Sequence, residues 1–264
     1  MNRKLFLVLL AAALLVLTAA FPLVAGASHS WGNYHWPRSS NPVVLDVGDN
    51  VSGDWVDHLG GAIADWNVSS VLSLNIVPGQ SKGNCKGTDG QIEVCAKEYG
   101  YNGWLGLAQI WASGDHITQA TAKMNDSYFN VAPYNTPEWR QMVMCQEVGH
   151  DFGLDHQDED FNNPNLDTCM DYTSNPASNQ HPNLHDYQQL EAIYTHLDGS
   201  DGGGGGGGCN PRSPKCNPGN GVPSSGLDHP SDWGQIVREN GRTAVYERDF
   251  GNGVRLITFV IWAD

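Results

Sequence analysis

Positive charge is scarce in this sequence. Fourteen lysines and arginines stand against 29 aspartates and glutamates, a formal net charge of −15 over 264 residues. A surface so acidic repels phosphate backbones, which excludes nucleic acid as an expected partner and disfavours anionic membranes. Long apolar runs are scarce too. Beyond residue 24 no stretch is long and apolar enough to span a bilayer. EF-hand spacing is lacking, so the commonest calcium loop is not expected. Acidity still permits sites built from carboxylate and carbonyl oxygens, and Ca2+ stays a candidate cofactor on that ground.

The one long apolar run stands at the start. Arg3 and Lys4 precede an apolar stretch over residues 5–17, and Ala25-Gly26-Ala27 offers small residues for cleavage. This pattern predicts a secretory signal over residues 1–27, with an uncleaved anchor as the alternative. Removing 27 of the 264 residues, two of them basic and none acidic, leaves 237 residues and a charge of −17. That length suffices for one good-sized core plus a smaller unit. The expectation is a secreted, extracellular chain, not embedded in a membrane once the signal is gone. Oligomeric state is not legible.

The most informative stretch is Cys145-Gln146-Glu147-Val148-Gly149-His150-Asp151-Phe152-Gly153-Leu154-Asp155-His156. Gln146 and His150 are four apart, so on a helix they share a face one turn apart. Glu147 projects beside that pair. Gly153 can take a left-handed backbone and end the helix, which lets the chain turn and bring His156 back. Three candidate metal ligands, Gln146, His150 and His156, then face one ion with a carboxylate alongside. A catalytic zinc needs three protein ligands, an open position for water and a base.

The stretch resembles the metzincin zinc signature HExxHxxGxxH, with Glu147, His150, Gly153 and His156 matching and Gln146 in place of the first histidine. Cys169-Met170-Asp171-Tyr172 resembles the methionine turn of that family. Its tyrosine is closer to the astacin and serralysin branches than to the matrixins. The resemblance covers residues 31–198. It implies an α+β catalytic domain with a twisted mixed sheet, an active-site helix, the methionine turn and a C-terminal helix. It implies Zn2+ as cofactor, Glu147 as general base, Tyr172 as a partner of the developing oxyanion, and Met170 as packing below the metal. A glutamine oxygen is neutral and a weaker zinc donor than imidazole. Two functions follow: a secreted zinc endopeptidase acting on protein or peptide substrates, or a non-catalytic binding or structural protein with a degraded site.

Patterning fills in the rest. Strands are predicted over residues 43–47, 71–77, 91–96, 105–112 and 117–124. A helix from Asp54 carries Trp55, Leu59, Ala62, Ile63 and Trp66 at helical spacing. Thr136 and Pro137 are placed to cap and begin the active-site helix, which is predicted to run to Phe152. A last helix is predicted over residues 183–197. Residues 31–42 read as an extended arm. Residues 104–108 are a candidate edge strand for pairing with extended substrate, against the alternative of a plain core strand. His116 reads as a loop histidine facing solvent, with a second metal as the alternative, and His181, His185 and His196 show no metal spacing. The oxygen-rich loop 157–164 is the place where calcium would bind.

Six cysteines behind a signal suggest disulfides, and six allow 15 pairings. Proximity suggests Cys85–Cys95 and Cys209–Cys216, leaving Cys145–Cys169 to brace the metal helix against the Met170 turn. A thiolate ligand at Cys145 or Cys169 is the rival reading. The organisation expected is therefore signal 1–27, metallopeptidase-like domain 28–198, Gly/Pro-rich linker 199–223 with its glycine run 202–208, and a small β-rich segment 224–264 with strands at 243–248 and 254–262.

Overall fold

A computed structural model describes residues 28–81, 83–198 and 222–263. The signal expected at 1–27, nearly all of the linker, and the Cys209–Cys216 pair lie outside the described residues. No helix among the described residues is long and apolar enough to cross a membrane.

The chain opens strand, helix, strand: β1 (Val43–Asn50), α1 (Trp55–Trp66) and β2 (Leu72–Pro78). β1 and β2 run parallel, so they need a crossover, which α1 supplies. The helix buries the five residues singled out by spacing, Trp55, Leu59, Ala62, Ile63 and Trp66. β3 (Gln91–Lys97), β4 (Trp104–Ser113) and β5 (His116–Asn125) follow. A short helix α2 (Asp126–Phe129) precedes α3 (Pro137–His150), and α4 (Leu184–Ile193) comes later. Thr136 caps α3 by accepting from the Trp139 N–H, and Pro137 occupies its first turn, where a missing N–H costs nothing.

The α4 boundaries correct the predicted 183–197. Asn183 and Asp186 close its start as a reciprocal capping box, but Leu184 and Leu197 are 71% and 55% exposed and belong to no buried face. The helix stops where Tyr194 turns inward, its hydroxyl donating to the Phe152 carbonyl at 3.1 Å.

β6 (Gln235–Glu239), β7 (Thr243–Gly251) and β8 (Val254–Trp262) build the C-terminal segment. They continue the same sheet, whose order is β2-β1-β3-β5-β4-β8-β7-β6. β1, β2, β3 and β5 pair parallel and the rest antiparallel, so the class is mixed α+β. β4 is therefore not an open edge. β8 lies antiparallel along it from Trp104↔Trp262 to Ser113↔Val254, in the place offered above to substrate. β6 escaped sequence analysis because its two apolar residues, Ile236 and Val237, are both exposed.

Both faces of β4 and β8 are covered, which explains their nearly continuous apolar sequences. Leu105, Ile110, Ile257, Phe259 and Ile261 join the large core under α1 and α3. Trp104, Leu107, Trp111, Leu256 and Val260 join a smaller core with Leu227 and Trp233, contributed by the segment leading into β6. On that side Lys123 is fully buried and reaches Asp228 at 2.8 Å and Gln109 at 3.0 Å. Disulfides join Cys85 to Cys95 and Cys145 to Cys169.

Candidate metal centre

α3 sets Gln146, Glu147 and His150 in its last two turns, all buried. The chain then reverses at Gly153, whose φ of +92° is a conformation that L side chains rarely adopt. A Cβ there would also run into the Tyr34 carbonyl oxygen. The N-terminal arm straps this turn: Trp31 N–H donates to the Gly153 carbonyl at 3.0 Å, and Asp155 N–H to the His29 carbonyl at 2.7 Å.

The reversal brings His156 back to His150, with their Nε2 atoms 3.0 Å apart. His150 Nδ1 lies 2.9 Å from the Leu154 carbonyl oxygen. A carbonyl only accepts, so Nδ1 carries the proton and Nε2 presents a lone pair. Two ligand atoms each about 2.0 Å from a tetrahedral zinc stand roughly 3.3 Å apart, close to the spacing seen here. Burial, with His156 adding to it, holds His150 well below the ordinary imidazole value. Burial also lowers His156, against the opposing pull of Asp155. Neutral imidazole is the form that binds a metal.

Gln146 Nε2 donates to the Cys169 carbonyl at 2.9 Å, which fixes the amide's orientation. Its Oε1 is buried and has no hydrogen-bond partner among the described residues. The same is true of Glu147 Oε2. Burial pushes the Glu147 carboxyl well above the ordinary carboxylate value. Gly106 of β4 makes room for that carboxylate, since a Cβ there would meet Glu147 Oε1 and Val143. Beneath, Met170 and Trp66 press on Gly149 so closely that a Cβ would lie 2.7 Å from both. The Tyr172 ring stands 4.0 Å from that of His156, and its hydroxyl bonds Thr243 of β7. Two imidazole nitrogens, one unengaged amide oxygen and a neighbouring carboxylate fit zinc.

The C-terminal strands close over this centre. Phe259 of β8 stacks on His150 with ring centroids 4.2 Å apart and planes 3° from parallel. Arg238 of β6 grips both oxygens of Asp155, with Nη1 2.7 Å from Oδ2, and places Nε 2.9 Å from Glu159. Burial alone would raise the Asp155 carboxyl, but bonds to His156 and Arg238 hold it below its ordinary range. At the loop offered above to calcium, the cation facing Glu159 is this guanidinium. Asp158 and Asp160 accept from main-chain N–H groups of Asp160 and Asn162 at 2.6 and 2.9 Å. Phe259 and Arg238 had no local signal, because their partners lie about a hundred residues upstream. Asp155 could have been suspected as the acid beside His156. Asp151, fully buried with both carboxylate oxygens unpartnered among the described residues, follows His150 at a variable position inside the pattern.

No family model matches the chain, and no curated protein does. Among solved structures the chain is similar to myroilysin, with a TM-score of 0.37 and 13% identity over 63% of this chain and 98% of that one. It is also similar to high choriolytic enzyme 1, a hatching enzyme zinc-protease from the medaka fish Oryzias latipes. There the TM-score is 0.34 and the identity 13%, over 62% of this chain and 96% of that one.

Proposed function

We propose that the chain is a secreted zinc-dependent endopeptidase held latent by its own C-terminal strands. The observation that carries this reading is the pair of buried Nε2 atoms 3.0 Å apart, with a buried, unpartnered Glu147 oxygen on the helix that carries His150. His150, His156 and the Gln146 Oε1 would hold the ion. Bound there, zinc lowers the pKa of a water and polarises a carbonyl. Glu147 Oε2 takes a proton from the attacking water and returns it to the leaving amine nitrogen; its raised affinity for protons suits that work. Tyr172, freed from Thr243, offers its hydroxyl to the developing oxyanion. The β4 backbone would hold extended peptide as it now holds β8.

The second reading, a non-catalytic protein on this scaffold, is favoured by one observation: β8 and Phe259 fill the place a substrate would take. The test compares the full chain with Phe259→Ala/Arg238→Ala, measuring zinc content and casein cleavage on the same preparations. A latent enzyme gains about tenfold or more on loosening, which ~1.4 kcal/mol of lost docking supplies, and Glu147→Ala abolishes the gain. Stoichiometric zinc with no cleavage in either form establishes the non-catalytic reading.

A further inference from the structure

A second cluster of histidines lies away from this centre and uses none of its residues. His35 comes from the N-terminal arm, His116 from the first position of β5, and His196 and Asp198 from the chain just after α4. Three Nε2 atoms converge on one oxygen, Asp198 Oδ1: His116 at 3.0 Å, His196 at 3.3 Å and His35 at 3.5 Å. Ligand atoms of His35, His196 and Asp198 all lie within 4.8 Å of one another. The His35 ring stands edge-on to both His116 and His196, each with centroids 4.8 Å away.

The hydrogen bonding argues for a cation among them. His35 Nδ1 is 2.6 Å from the Asn33 carbonyl oxygen, so that nitrogen bears the ring proton. Its Nε2 then turns a lone pair toward a carboxylate oxygen. Two facing lone pairs repel unless a positive charge sits between them, either a second ring proton or a metal ion. Convergence of three imidazoles on one oxygen favours the metal. The His196 and His35 distances, 3.3 and 3.5 Å, stand close to the roughly 3.3 Å between ligands of a tetrahedral zinc. The outer bonds are those of a built site. Asp198 Oδ2 accepts from the Arg38 N–H at 2.8 Å, which aims Oδ1 at the histidines. His35 itself is fixed by main-chain bonds, Ile117 N–H to its carbonyl at 2.7 Å and its own N–H to the Asp115 carbonyl at 3.0 Å. The backbone thus gathers the four side chains without help from the ion.

We propose that His35, His196 and Asp198 form a second zinc site, with His116 holding the carboxylate in place. Two imidazole nitrogens and one carboxylate oxygen supply three of the four ligands of a tetrahedral zinc, and His116 Nε2, 3.0 Å from Asp198 Oδ1, orients the carboxylate from outside. Its ion would pin the N-terminal arm, the β4–β5 turn and the end of the α4 segment together. These parts are far apart in sequence, so sequence spacing could not reveal the set. His196, 55% exposed along its side chain, gives the ion a way in.

The experiment uses the full chain, stripped with a chelator and reloaded with zinc chloride alone. Zinc per chain is read by elemental analysis after desalting, and melting temperature with and without zinc. His196→Ala removes a largely exposed side chain and is expected to hold one zinc fewer than wild type. Its affinity at this site should fall by more than about 100-fold, beyond what outer-sphere changes cause. Asp198→Asn should do the same, and His156→Ala, which touches only the first centre, should keep this ion. In His156→Ala loaded with cobalt, the absorption of a tetrahedral site should appear and vanish on adding His196→Ala. Equal zinc in wild type and His196→Ala, with equal thermal response to the metal, would overturn the proposal.

Discussion

In the proposed zinc centre, Gln146 would govern how tightly the ion is held. Its oxygen is a weaker donor than imidazole, and its amide nitrogen is anchored to the Cys169 carbonyl. Gln146→His should keep the fold and tighten zinc binding by about tenfold or more, read by competition with a chromogenic chelator. An unchanged affinity would remove residue 146 from the ligand set. Asp151 offers a second measurement. Burial, and then Glu147, pushes its carboxyl well above the ordinary value, so the folded state keeps it protonated while the unfolded chain ionises near pH 4. The unfolded state therefore binds fewer protons above that pH, and stability falls as pH rises through the native value. Each unit of upward shift costs about 1.4 kcal/mol once both states have ionised. In metal-free protein, Asp151→Asn should be the more stable at pH 7 by denaturant titration, with the difference closing near pH 4. At this scale the sequence foretold the meeting of His150 and His156, because Gly153 turns the chain between them, and Met170 beneath, through a separate turn. It concealed His116 and His196, whose shared partner Asp198 is reached only through the fold. His116 proves to be a strand residue with a side chain only 14% exposed, not the solvent-facing loop histidine expected.

Among the elements, the turn after α3 is the least forgiving. Gly153→Ala combines a left-handed backbone, which costs roughly 1–2 kcal/mol by itself, with a collision against Tyr34. Its denaturation midpoint should drop by more than that strain alone, and its zinc content should drop with it. The Cys145–Cys169 bond ties α3 to the Met170 turn across a separation of 24 residues. Replacing both cysteines with alanine should cost about 3 kcal/mol, checked by the same titration under non-reducing conditions. Seven strands and two helices were legible because apolar patterning and caps matched their burial. The end of α4 was not, since Leu197 extends the helical stripe while facing solvent. Asn125, in a glycosylation sequon, is instead spent on bonds to Gly100, Asn102 and Trp104.

For the molecule as a whole, metal and fold should be linked. Zinc at 100 times its dissociation constant adds about 2.7 kcal/mol for each site that exists only in the folded state. Chelation should therefore lower the melting temperature, and a two-site chain should lose more than His196→Ala does. The last forty residues carry no local signature of their role, and pairing of β8 with β4 docks them on the sheet. No local pattern could announce that choice, because antiparallel partners 150 residues apart leave no mark on either strand.

The sheet also ends differently because of this arrangement. β4 is a largely apolar strand, and bare it would be a template onto which other copies could stack. β8 covers it, and the sheet now finishes at β6, a short strand carrying Arg238 and Glu239. If the C-terminal strands lift to admit a peptide, as the proposed latency requires, a sticky rim is exposed with it, and activation would be set against solubility.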